Sequence, residues 1–285
     1  MGTDIRFPFS YSIKRNLIGD QRMNSNNQKG ILLSVLFIFM SYFFTRGLYS
    51  PFFVLLIALL LLVAFFKEGM RSFAWVVISF FLGNFLLVYM DTFMESFHFP
   101  HYSLVMYSQM LLLIPILLIS YVSKKFKQEI TPYLQKPILT GKIQLPINIA
   151  FSLCKFFMIL CLLSILSIIG ALFVKIEDGR LSAVLFILLF SCINALLEEV
   201  LWRGIFLPKL IMITNHPIGM VVTSIAFGLH TTMFGFSLIL SISYMLLGIF
   251  LGFLTIKFKS IFPSVVVHFS VTTLLLIFGW MVIPI

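Results

Sequence analysis

Ten acidic residues stand in the 285-residue sequence, and two of them, Glu198 and Glu199, are adjacent inside the apolar stretch NALLEEVLWRGIF. Arg203 follows four residues after the second, and His230 and His268 fall in two later apolar stretches. Ionisable groups at membrane depth are costly and mark functional sites by default. Two carboxylates, two imidazoles and a guanidinium are a set able to activate water and to stabilise the oxyanion formed when that water attacks a carbonyl.

Helical spacing separates their roles. Glu199 and Arg203 are i,i+4 neighbours and are expected to form an ion pair that holds the helix surface rigid. Glu198 points about 100° away around the helix and has Trp202, not a cation, at its own i+4 position. It is the carboxylate left to take a proton from water. His230 and His268 can polarise a carbonyl, bind its oxyanion or ligate a metal. Glu198, His230 and His268 together would supply the three protein ligands of a catalytic zinc site. A metal-free water activated by the glutamate is equally compatible. The sequence contains no HExxH, no GxSG and no GxGD.

The elements that must position these groups follow from composition. Hydrophobic residues make up 60% of the chain, charged residues 11%, and the mean hydropathy is +1.09. No soluble domain has that balance. Apolar runs near 31–47, 50–66, 72–91, 104–123, 156–174, 181–201, 217–234, 237–256 and 262–284 predict an all-α, polytopic transmembrane bundle of eight to nine spans. Helices rather than a barrel follow because the runs are continuous, not alternating. The helix carrying Glu198 is expected to continue to about residue 207, ending before Pro208.

Alternating the spans from a cytoplasmic N-terminal tail, residues 1–30, places fifteen Lys and Arg inside and three (Arg46, Lys175, Arg180) outside, with Lys155 and Arg203 within helices. Residues 31–145 then form N-terminal transmembrane helices and a cytoplasmic loop, and residues 146–285 form the part that bears the ionisable groups. Residues 143–155 are expected along the cytoplasmic interface. The net charge of +10 is this bias and requires no nucleic-acid partner; the bilayer, with its anionic head groups, is the expected one. The oligomeric state is not legible. Cys154, Cys161 and Cys192 lack metal or disulfide spacing and read as small packing residues. The phenylalanines, with Trp75 and Trp280, read as lipid-facing or interfacial bulk.

Glu198-Glu199-Val200-Leu201-Trp202-Arg203 resembles the EExxxR motif of the type II CAAX prenyl endopeptidase family, the CPBP or Abi intramembrane proteases. AFGLHTT supplies Phe227 and His230 for the family's Phe–His motif, and VVVHFSVTT supplies His268 for its third. Two positions depart from the pattern. Phe227 and His230 are one residue closer than in FxxxH, and Thr272 stands where the family has Asn or Asp. The resemblance implies an intramembrane endopeptidase core over residues 146–285. Its catalytic set would be Glu198, Glu199, Arg203, His230 and His268, with Thr272 and Phe227 as oxyanion or supporting groups, and with one zinc ion or none. The implied partner is a membrane-associated peptide or protein tail, cut at the cell membrane. A non-catalytic scaffold or bacteriocin-immunity protein that keeps the protease fold is the alternative.

Overall fold

The computed structural model describes residues 28–97, 99–127, 132–140, 142–144, 150–176, 181–234 and 237–279. Each apolar run must satisfy its backbone N–H and C=O groups internally, and each does so as helix. In chain order these are α1 (Gln28–Thr45), α2 (Tyr49–Leu62), α3 (Glu68–Glu95), α4 (His101–Met110), α5 (Leu113–Lys125), α6 (Leu153–Ile176) and α7 (Leu181–Glu199). Then come a π-helical segment (Val200–Phe206), α8 (Leu207–Ile213), α9 (His216–Thr231), α10 (Leu238–Phe258) and α11 (Phe262–Ile277).

Six helical stretches are long and apolar enough to cross a membrane among the described residues: 28–45, 68–95, 102–125, 153–173, 182–213 and 238–258. Residues 49–65 and 262–277 form shorter apolar helices, and α9 has sixteen residues. The chain is therefore a helical membrane protein with six candidate spans among the described residues, beside the eight to nine read from hydropathy. Runs that hydropathy counts as spans include helices below the length of about 20 residues that a full crossing needs.

One further expectation changes. The helix bearing Glu198 does not stop before Pro208: α7, the π segment and α8 form one rod to Ile213. The Leu207 N–H reaches back to Trp202 O, five residues away, and this widened turn accommodates a proline that would break a regular α-helix. Residues Lys142–Gln144 pair antiparallel with Ala150–Ser152 as a short ribbon before α6. Lys209, one of the fifteen basic residues counted inside, is buried in α8.

The phenylalanine expectation is overturned for the core. Phe37, Phe52, Phe73, Phe80, Phe81, Phe206 and Phe227 are fully buried. Phe37 stacks on Phe206 at 5.0 Å between ring centroids, and Phe80 meets Phe206 edge-on at 5.0 Å. α1 and α3 thus grip the π segment through aromatic rings, because bulky side chains filling helix contacts supply the dispersion that lipid cannot. Trp75 is partly exposed, as expected; Trp280 lies outside the described residues. Cys154 and Cys192 are exposed rather than packed.

The helices that carry the later motifs approach through small residues. A Cβ on Gly228 of α9 would lie 2.6 Å from Ser241 O and 2.3 Å from Met245 Cγ of α10. One on Gly248 would lie 3.0 Å from Ser224 Cα. Ser241 Oγ donates to Gly228 O across this contact. Between α10 and α11, Ser264 Oγ donates to Leu251 O at 2.8 Å and lies 2.7 Å from Thr255 Oγ1. Residues 132–140 are tied to the α10–α11 turn: Ile138 N–H donates to Phe258 O (2.9 Å) and Ile261 N–H to Tyr133 O (3.0 Å). Two basic segments expected on one membrane side are thereby held together.

Candidate active site

Asn194, Glu198 and Glu199 occupy the last turns of α7, where the rod passes into its π segment. Trp202 and Arg203 lie within that segment, and π turns recur at functional sites because they rotate side chains off the regular helical register. α9 contributes Phe227 and His230, α10 contributes Tyr244 and Gly248, and α11 contributes His268 and Thr272. Every one of these side chains is buried.

Glu199 is the anchor. Its Oε1 accepts from Arg203 Nη1 at 2.8 Å and from His268 Nδ1 at 2.9 Å. The i,i+4 pairing read from the sequence is formed, although the turn that contains Arg203 is widened. Arg203 Nη2 donates to Gly248 O at 3.3 Å, and the guanidinium carbon lies 4.2 Å above the Phe227 ring. Phe227 is thus the cation–π seat of the arginine.

His268 joins the two carboxylates. A carboxylate accepts only, so Nδ1–H donates to Glu199, and the opposite nitrogen, Nε2, faces Glu198 Oε2 at 3.4 Å. Glu198 also hydrogen-bonds Asn194. Glu198 Oε2 and His268 Nε2 are both buried without a hydrogen bond of normal geometry. The charge balance is informative. Two carboxylates against one guanidinium leave one negative charge, and a buried set is least costly when neutral.

His230 is seated elsewhere. Asn84 Nδ2 donates to Phe80 O at 2.9 Å, which turns its Oδ1 toward His230 Nε2 at 3.0 Å. Trp202 meets His230 edge-on at 5.5 Å, and Phe80 lies 5.8 Å away. The structure therefore gathers Glu198, Glu199, Arg203, Phe227 and His268, while the hydrogen bond described for His230 goes to α3. Among the described residues, no group of three or more His, Cys, Asp or Glu is arranged to hold a metal ion. Thr272 is fully buried on α11, and Tyr244, 6.0 Å from the His268 ring, turns its hydroxyl toward it.

Reasoning from ionisable groups alone misses Asn84, Asn194 and Tyr244. Asn84 carries the signal that would have found it: an amide in the middle of an apolar run is as conspicuous as a charge. Tyr244 reads as one aromatic among many.

Residues 180–274 match the family model described as Type II CAAX prenyl endopeptidase Rce1-like. No curated protein and no solved structure matches the chain. The matched segment runs from the start of α7 into α11 and contains Glu198, Glu199, Arg203, Phe227, His230, His268 and Thr272. Over that third of its length the chain is similar to the Rce1-like type II CAAX prenyl endopeptidase family.

Proposed function

We propose that the chain is an intramembrane endopeptidase that hydrolyses a peptide bond in a membrane-associated peptide or protein tail. The observation that carries this reading is His268 bridging Glu199, which is locked by Arg203, to Glu198, which is not. Glu198 accepts a proton from water, and the hydroxide adds to the scissile carbonyl carbon. The tetrahedral intermediate then expels the amine, which takes the proton held between Glu198 and His268. Glu199 and Arg203 fix the tautomer and the position of His268, much as a buried acid orients a catalytic histidine elsewhere. His230 serves as a positioning residue: hydrogen-bonded to Asn84, it supports the Trp202 ring in the π segment.

The family description makes prenylated CAAX peptides the first substrates to test. With the shorter apolar helices counted as crossings, nine in all, the fifteen-to-three distribution of basic residues supports a cytoplasmic N-terminus. Wild-type protein in proteoliposomes should cleave a fluorogenic farnesylated CAAX peptide or a membrane-anchored peptide panel, and His268→Ala should not. Cleavage by His268→Ala at the wild-type rate would refute the reading. Thr272, where the family has Asn or Asp, favours a second reading, a scaffold without activity. That reading wins if wild-type protein cleaves none of these probes.

A further inference from the structure

Around Glu198 and His268 the described structure leaves a set of buried polar atoms without hydrogen bonds of normal geometry: Glu198 Oε2, His268 Nε2, Tyr244 Oη and Thr272 Oγ1. The first two are the base and its partner. The other two are hydroxyls, and they have no part in the ion-pair network. Buried tyrosine hydroxyls nearly always find a partner, and leaving one unpaired costs free energy without a compensating role. Tyr244 is 2% exposed and Thr272 0%. Tyr244 is also within electrostatic reach of Glu198.

Packing fixes where Tyr244 points. Its ring lies 5.5 Å from Phe227 and 6.0 Å, edge-on, from His268. Phe227 in turn lies 5.7 Å from His268 and carries Arg203 on its other contact. The phenol is thus braced by the same residues that brace the base, and it comes from α10, a helix to which the sequence motifs assign nothing. Thr272, one turn after His268 on α11, faces it. Two O–H groups from two helices face one another beside a general base, and neither makes a hydrogen bond of normal geometry.

Resting on the endopeptidase reading, we propose that Tyr244 is a catalytic residue: its hydroxyl, together with that of Thr272, donates hydrogen bonds to the scissile carbonyl oxygen as that oxygen becomes an oxyanion. Neither hydroxyl gives up its proton. The bonds strengthen as charge develops on the oxygen and relax when the carbonyl re-forms with departure of the amine. A threonine alone is a single donor where the family has an amide or carboxylate; the tyrosine supplies a second donor.

The test is Tyr244→Phe in the full chain, reconstituted in proteoliposomes. The variant keeps the ring and its contacts, so its melting temperature should stay with wild type. Expected is a fall in kcat of roughly 10²–10³-fold, the usual effect of deleting one oxyanion donor, with KM unchanged. Affinity for a phosphonate peptide, which mimics the tetrahedral anion, should fall in parallel. Thr272→Asn in the Tyr244→Phe background should recover activity by more than about tenfold. If wild type cleaves and Tyr244→Phe cleaves within about threefold of it, this proposal falls while the endopeptidase reading stands. A rise in KM at constant kcat also overturns it, because that marks a packing role. A wild-type protein that cleaves no probe overturns both.

Discussion

Replacing Glu199 by alanine should unfold this protein more readily than any other single change at the site. Glu199 Oε1 accepts from Arg203 at 2.8 Å and from His268 at 2.9 Å, and neither Glu199 nor Arg203 is more than 1% exposed. Without Glu199, Arg203 keeps only Gly248 O at 3.3 Å and the Phe227 ring. A carbonyl and a ring do not neutralise a guanidinium. Stranding one member of a buried ion pair costs roughly 3–5 kcal/mol, which corresponds to a fall in Tm on the order of 10 °C for a domain of this size. Thermal unfolding in detergent, followed by tryptophan fluorescence, reads the effect directly, since Trp202 adjoins Arg203. Glu199→Gln should lie between wild type and Glu199→Ala, because it keeps an acceptor and loses the charge. The decisive arm is Glu199→Ala with Arg203→Met, which removes both charges and should recover most of the lost stability. A Glu199→Ala protein that melts with wild type, or a double variant no better than the single one, would refute the reasoning.

Asn84→Leu removes the acceptor that α3 offers His230 and should cost about 1–3 kcal/mol of stability; melting and cleavage assays check it. It should lower cleavage far less than His268→Ala, and equal losses would place His230 at the reaction itself. For topology, cysteine at position 97 should react with a membrane-impermeant thiol reagent in intact cells and cysteine at 130 should not, in a background lacking the exposed Cys154 and Cys192. The reverse pattern would turn the molecule over.

Much of the site is legible in the sequence because its parts are local. The Glu199–Arg203 pair depends only on helical spacing, and the exposure of Glu198 to a different neighbour follows from the same geometry. His268 could be placed near them by span order and depth. The seat of His230 could not be, since it depends on how α3 packs against α9. One residue of rotation on α9 decides whether an imidazole faces a carboxylate or an amide, and hydropathy carries no such information. The rod through Pro208 escapes notice for a related reason. A proline reads as a stop unless the turn before it is known to widen. The span count is less legible where the helices are short, 49–65, 216–231 and 262–277, because hydropathy measures composition and not whether a helix crosses. The phenylalanines mislead because a membrane protein's core and its lipid face share one chemistry, and only packing divides them.

The most direct measurement is the cleavage rate of purified Glu198→Gln beside wild type, on one membrane peptide, with both proteins inserted and melting alike. The substituted amide keeps the size of the side chain and its contact with Asn194 but cannot take a proton. If Glu198 activates the water, the variant loses cleavage by at least the roughly 10²–10⁴-fold that a general base contributes. Cleavage by Glu198→Gln at the wild-type rate would contradict the mechanism.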